Sequence, residues 1–179
     1  KIDSKLQGHP NMNYVPGVDM STGSLGQGFA VADGMALANR LNGNSHRVYC
    51  LIGDGESQEG EIWETAMSAA HYKNDHLCAI IDVNGLQIDG RTSDVMNPNP
   101  LDEKFKAFGW HVIDVDGHDF KQLRAAFKEA SETKGQPTAI IAKTIKGKGV
   151  SFMEDQAGWH GKAPNLEQYE QAIQELEAQ

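Results

Sequence analysis

The stretch LIGDGESQEGEIW, residues 51–63, closes an apolar run on Gly-Asp-Gly and passes almost at once into helical periodicity. Asp54 is a lone carboxylate held between two glycines at the exit of a strand. In open α/β sheets ligands bind beyond the carboxyl ends of the strands, and glycines let a ligand approach the backbone closely. A helix that starts just after the turn aims its N-terminus at the same place and favours anions, phosphate above all. A bare Asp would repel phosphate. A divalent cation between the two removes the conflict, so Asp54 reads as a Mg²⁺ ligand whose metal also holds phosphate oxygens. Gly-Asp-Gly by itself is equally good turn chemistry. What lifts it above that is Asn84, at the end of the next apolar run in IIDVNGLQIDG. In a parallel sheet that end lies beside the end of the preceding strand. An amide oxygen there adds a ligand with no second negative charge beside a diphosphate, and the carbonyl of Leu86, past the Gly85 turn, is a third donor.

These residues need a sheet to position them. RVYCLIG (47–53), LCAIIDV (77–83), HVIDV (111–115) and TAIIAKTI (138–145) are continuous apolar runs of strand length. Unbroken runs predict strands covered on both faces, as in parallel sheets. Helical periods at 61–72, 102–108 and 120–133 alternate with them, the last with Asp119 at its N-cap and Gly135 and Pro137 past its end. A helix rich in small residues, 25–41, precedes the first strand. The order predicts an α/β fold, a doubly wound and mainly parallel sheet with helices on both faces. Residues 146–164 show no period; a last helix follows, with Asn165 and Gln168 at capping-box spacing. The expected organisation is a diphosphate- and metal-binding α/β domain over 1–145, with a lid-like loop and C-terminal helix of the same domain over 146–179. GSLGQG, 23–28, is a second glycine-rich helix entrance. Its spacing is not the dinucleotide fingerprint, and a plain tight turn before a packed helix explains it as well.

The chain has 179 residues, 39% of them hydrophobic, and a formal net charge of −9. It can bury a core, and its acidity speaks against wrapping nucleic acid. Cys50 and Cys78 sit in apolar runs and read as core residues, which makes a reducing cytoplasm the default. No apolar run approaches the roughly 20 residues that span a bilayer, so no membrane partner is expected. The opening stretch KIDSKLQGHPNMNYVPG is polar, turn-rich and without a start methionine, as in a piece of a longer chain.

Gly-Asp-Gly followed at this distance by Asn resembles the motif of thiamine-diphosphate enzymes, and longer stretches narrow the resemblance. GHP…PGVDMSTGSLGQG, GDGESQEGEIWE, DVNGLQIDG, AFGWHVIDVDGHD, KTIKGKGVSFME and GWHGKAP together resemble the diphosphate-binding, N-terminal domain of the transketolase family. NMNYV, between His9 and Pro16, is more similar to the separately encoded prokaryotic subunit than to the long single-chain type. The resemblance covers nearly the whole chain. It implies thiamine diphosphate and Mg²⁺ (or Ca²⁺) as cofactors, with Asp54, Asn84 and the Leu86 carbonyl on the metal and Gly55 and Asn84 facing the diphosphate. Gly23, Leu25 and Ile88 would contact the cofactor rings. His160 would stand beside the diphosphate, His9 near the reacting carbons of the donor sugar, and Glu59 in the carboxylate network that joins paired active sites.

The reaction so implied moves a two-carbon ketol unit from a ketose phosphate to an aldose phosphate. Histidines suit it, because sugar hydroxyls must lose and regain protons near neutral pH. The resemblance further implies a pyrimidine-binding C-terminal partner subunit, homo- or hetero-oligomeric assembly, and family segments upstream of Lys1. The other readings are a different thiamine-diphosphate enzyme, such as deoxyxylulose-phosphate synthase or a 2-oxo-acid dehydrogenase E1 component, and a non-catalytic truncated module that only folds or assembles. Of the remaining residues, His46, His71 and His76 read as solvated, His111 and His118 as structural, Trp63 and Trp110 as core, and Trp159 as an aid to loop closure.

Overall fold

The computed structural model of the chain describes residues 4–178. The turn-rich opening stretch extends over residues 1–3, which lie outside the described residues. In chain order the elements are α1 (Gln27–Leu41), β1 (Val48–Gly53), α2 (Gly60–His71), β2 (Leu77–Val83), a small hairpin of β3 (Leu86–Gln87) and β4 (Gly90–Arg91), α3 (Thr92–Val95), α4 (Leu101–Ala107), β5 (His111–Asp116), α5 (Phe120–Glu132), β6 (Thr138–Lys143) and α6 (Leu166–Glu177). The main sheet runs β1-β2-β6-β5 with every neighbour parallel. This is the doubly wound α/β arrangement that the strand and helix order predicts.

Burial along the strands explains the order. On one face Ile52, Leu77, Ala79, Ile81, Ala139 and Ile141 meet Phe29 and Ala36 of α1, Ile62, Ala66 and Ala69 of α2, and Leu101 and Phe105 of α4. Phe29, Ile62 and Phe105 are fully buried, and each contributes about 1.5–3 kcal/mol. Trp110 closes this layer: its ring lies 5.3 Å from Phe105 and 5.7 Å from Phe29, and its indole N–H donates to the Ala66 carbonyl at 2.9 Å. The opposite face holds a smaller cluster, in which Cys78, Val115, Ile140 and Ala142 pack against Ala126 and Ala130 of α5.

One strand departs from the expectation of cover on both faces. Tyr49 and Leu51 of β1 are 49% and 71% exposed. The helix on their face, α5, lies over β5, and its Phe127 meets Tyr49 edge-on at 5.8 Å. Burial along β1 therefore alternates, as on a half-covered edge strand.

Local sequence sets the helix ends. Asp119 caps α5 by accepting from the Lys121 and Gln122 N–H groups, and Asn165 and Gln168 form the reciprocal capping box of α6. Buried Asp33 ties α1 to α2 by accepting from Ser68 Oγ at 2.9 Å and Asn74 Nδ2 at 2.8 Å. His46 and His71 are exposed, whereas His76 is half-buried beside Asp75 rather than solvated.

The aperiodic stretch 146–164 is packed. Gly147, at φ 74°, sits so close to Met153 that a Cβ would lie 2.6 Å from its carbonyl oxygen. Phe152 and Trp159 pack at 5.3 Å, and the Trp159 indole N–H donates to the Phe152 carbonyl. Ser151 donates through its N–H and its hydroxyl to Glu175 of α6.

Candidate functional site

The parallel register of β1 and β2 pairs Gly53 with Asp82, so both strands end at one level. The chain beyond them forms the site. Asp54 is 2% exposed, not the exposed strand-end carboxylate that its flanking glycines suggest. Its Oδ2 accepts the Gly85 N–H at 2.6 Å, and its Oδ1 accepts the Gly55 N–H at 2.8 Å. The Asp54 carboxylate thus reaches the turn that leaves β2, the turn on which Asn84 stands.

Burial pushes the Asp54 carboxyl above its ordinary value. The two N–H groups and the positive charge of Lys146 pull it back, and the Asp82 charge adds to the rise. A buried carboxylate held up in this way gains from a divalent cation. The turn bonded to it carries neutral oxygens. Asn84 Oδ1 accepts the Leu86 N–H at 3.0 Å and keeps a second lone pair. Thr92 N–H donates to the Gly85 carbonyl, which puts Leu86, opposite Arg91, at a non-hydrogen-bonded position with its carbonyl turned away from β4. Among the described residues no three His, Cys, Asp or Glu side chains gather as a metal-binding group. One carboxylate with an amide and a carbonyl is nevertheless a set of hard oxygen donors suited to Mg²⁺ or Ca²⁺.

The helix expected over 61–72 is α2, and it does not follow Gly55 directly. A single 3₁₀ turn, Glu56–Gln58, comes first, and α2 starts at Gly60. Gly55 backs onto β3, where a Cβ would lie 3.1 Å from Gln87 Cβ. Gln58 Nε2 donates to Gln87 Oε1 and, at 2.7 Å, to the Met96 carbonyl, so the 3₁₀ turn also holds the hairpin. Ile88, at the hairpin tip, is 71% exposed.

The second glycine-rich entrance lies alongside. Gly26, at φ 85°, is the N-cap of α1, and a Cβ there would lie 3.5 Å from Glu59 Cβ. Glu59 and the Gly23–Gly26 loop are therefore neighbours, with Leu25 53% exposed between loop and solvent. His9 packs on Gly23, φ 152°, so closely that a Cβ would meet its Cδ2 at 2.6 Å. Both line a cleft of about 550 Å³ with Thr22, Ser24 and Gln27. His160 is exposed at the end of the turn Ala157–Trp159, and that turn packs on β4. The loop is also held there by the Arg91–Asp155 ion pair at 2.7 Å.

Hydrogen bonds thus join Asp54 to Gly55 and to the turn that carries Asn84 and Leu86, and Glu59 borders the Leu25 loop. His9 packs on Gly23, and His160 follows the turn that packs on β4 of the hairpin. Sequence reasoning missed Lys146 and Glu56. The signal for Lys146 was its place just after the last strand, beside the other strand ends. Glu56 gave none, because its partners are backbone amides.

A parallel sheet whose adjacent strand ends open on glycine turns belongs to the class of α/β domains that take ligands in the crevice beyond the carboxyl ends of their strands. The transketolase, thiamine diphosphate binding domain family matches residues 1–177. The chain is 45% identical over 172 residues to the 6-deoxy-6-sulfo-D-fructose transketolase subunit SqwG of Clostridium sp. (strain MSTE9), covering 96% of this chain and 62% of that one. It is 43% identical over 176 residues to an apulose-4-phosphate transketolase subunit of Phocaeicola vulgatus, covering 98% and 62%. The crystal structure of transketolase from Campylobacter jejuni superposes with a TM-score of 0.87 at 34% identity, covering 99% of this chain and 29% of that one. This chain belongs to the transketolase N-terminal, thiamine diphosphate binding domain family. It spans under two thirds of the length of the subunits it matches.

Proposed function

We propose that this chain is the diphosphate- and metal-binding part of a transketolase N-terminal subunit. One divalent cation, Mg²⁺ or Ca²⁺, would be held by Asp54, Asn84 and the Leu86 carbonyl, with Lys146 as a further positive charge toward the diphosphate. Gly55 would let the diphosphate approach the backbone, and Gly23, Leu25 and Ile88 would contact the rings. When bound, thiamine diphosphate supplies a thiazolium carbon that acts as nucleophile and electron sink for a two-carbon unit.

The chain's own side chains then handle protons and positions. His9, against Gly23 in the cleft, is suited to exchange a proton with a donor-sugar hydroxyl, and His160 to exchange one from the loop side. Glu59 is suited to the carboxylate network between paired sites. The pyrimidine-binding part would come from a partner subunit, and ketose and aldose phosphates would be the substrates. The free thiols Cys50 and Cys78, pushed up to about 12 chiefly by burial, are compatible with a cytoplasmic home.

The observation that carries this reading is the Asp54 carboxylate, buried at the end of β1 and hydrogen-bonded to the turn after β2. The test is a coupled assay of ketol transfer between sugar phosphates, with the partner subunit, thiamine diphosphate and Mg²⁺ supplied. Transfer that depends on all three supports it. Pyruvate decarboxylation in its place would move the chain to a different thiamine-diphosphate enzyme, and assembly without cofactor binding would leave a structural module.

A further inference from the structure

Glu56 joins the two glycine-rich loops. Its Oε1 accepts the Gly26 N–H at 2.9 Å, and its Oε2 accepts the Gly53 N–H at 3.1 Å. Gly26 is the N-cap of α1 and the last residue of the loop carrying Gly23 and Leu25; Gly53 is the last residue of β1, directly before Asp54. One carboxylate therefore bridges the loop assigned to the cofactor rings and the loop assigned to the metal and diphosphate. The contact is local on one side and distant on the other, since Gly53 is three residues away in sequence and Gly26 thirty.

Two features make this more than a helix cap. First, α1 has no cap from its own N-cap side chain, because that residue is glycine. The Glu61 carboxylate accepts from the Gln27 side chain nearby, but it is Glu56 that takes the Gly26 backbone N–H, satisfying an otherwise orphan donor and complementing the helix dipole. That helix end is thus complemented from within the chain. Second, Gly26 at φ 85° leaves little space: a Cβ would lie 3.3 Å from Glu61 Cβ and 3.5 Å from Glu59 Cβ. The loop is pressed against the start of α2, and Glu56 fixes where along that surface it rests.

We propose that Glu56 is a positioning residue that sets the spacing between the ring-contacting loop and the metal loop, and so governs recognition of the whole cofactor rather than of its diphosphate. The inference rests on the functional reading above. Pyrophosphate with Mg²⁺ touches only the metal loop, whereas thiamine diphosphate with Mg²⁺ spans both. Losing the bridge should weaken the second and spare the first. A purely structural role would weaken both alike or neither.

Glu56→Asp keeps the charge and the short reach to Gly53 but is one methylene too short for Gly26. Glu56→Gln keeps the length but turns one acceptor into a donor that faces an N–H. Both are tested by calorimetric titration of the full-length chain, assembled with its partner subunit, with Mg²⁺-pyrophosphate and Mg²⁺-thiamine diphosphate. Amide exchange at Gly26 is followed in parallel. Glu56→Asp is expected to bind pyrophosphate within about twofold of the parent and thiamine diphosphate about tenfold more weakly, the usual scale for a hydrogen bond to a charged group. Exchange at Gly26 should quicken while Gly53 stays protected. Glu56→Gln is expected to show the same asymmetry and decides the matter if Glu56→Asp fails to fold. Unchanged binding of both ligands, or equal loss of both, overturns the positioning role. A parent that binds neither ligand overturns the proposed function, and the positioning role with it.

Discussion

Asp54 is buried, yet its partners in the chain are two backbone amides, and removing it separates stability from binding. Asp54→Ala strands the Gly85 N–H, now 2.6 Å from the carboxylate, and the Gly55 N–H, at 2.8 Å. A buried donor left unpaired costs about 1–3 kcal/mol. Both glycines are half-buried, so water can replace the lost oxygens, and relief from holding a buried carboxylate offsets part of the loss. The net is about 1–2 kcal/mol, or roughly 2–8 °C in melting temperature for a chain of this size. That is small beside the ~5–15 kcal/mol of a typical domain. Metal-dependent binding of thiamine diphosphate should fall by more than the roughly 10–100-fold seen when only a supporting partner of a metal ligand is removed. Thermal melts and calorimetry with and without Mg²⁺ measure the two effects side by side. The pH dependence adds a third reading. Because folding raises the Asp54 pKa, the metal-stripped protein loses stability as pH climbs from the ordinary carboxylate pKa to the folded value, and the loss is complete above it. Asp54→Asn lacks that segment, so the parent's stability relative to this variant should fall across the window and then level off. Binding of Mg²⁺-thiamine diphosphate by either variant within about threefold of the parent, on the scale of a lost ligand contact, would refute the metal assignment; if alanine does not fold, the asparagine variant decides.

Gly23→Ala forces a side chain at φ 152° into the His9 ring, which turns away; ketol transfer in the assembled enzyme should drop about tenfold or more with a melting shift under about 4 °C. Gly147→Ala places a Cβ 2.6 Å from the Met153 carbonyl at φ 74°, so the loop should open, at a cost of about 1–3 kcal/mol, and limited proteolysis should cut within 146–164 faster than in the parent. Trp159→Ala removes the ring that packs on Phe152 and sits 4.8 Å from the Lys162 ammonium; thiamine diphosphate affinity should weaken about five- to tenfold with little change in the melt, since the ring is only half-buried.

How far the sequence could be read depended on where each residue's partners lie. β2 is legible because six of its seven residues are apolar and the strand is central, so composition and burial agree. The caps of α5 and α6 are legible because Asp119 and Asn165 bond within their own first turns. Exposure of Leu51 was hidden, because which strand has an uncovered face is decided by where α5 comes to rest. The β3–β4 hairpin is two residues on each side, too short for any period, and reads as the turn that Gly85 opens. Asp54 and Asn84 could be paired from strand ends alone. The burial of Asp54 could not, since it depends on how the turn after β2 comes to rest against it.

The same distinction bears on how the site would work. Its metal end is built from adjacent parallel strands, where register fixes the level at which the chains emerge and backbone N–H groups hold the carboxylate. Its ring end is built from loops, and the apolar residues assigned there, Leu25 and Ile88, are exposed. Exposed apolar side chains on glycine-flanked turns cannot hold a ligand at fixed distance unless something stiffens the turns. Glu56 and Gln58 are two of the groups placed to do so, one toward the Gly26 loop and the other toward the hairpin. On the proposed function, then, the diphosphate finds a prepared anchor, whereas ring recognition depends on how rigidly one 3₁₀ turn holds two loops. Variation in cofactor affinity among variants should therefore track this turn more closely than the sheet beneath it.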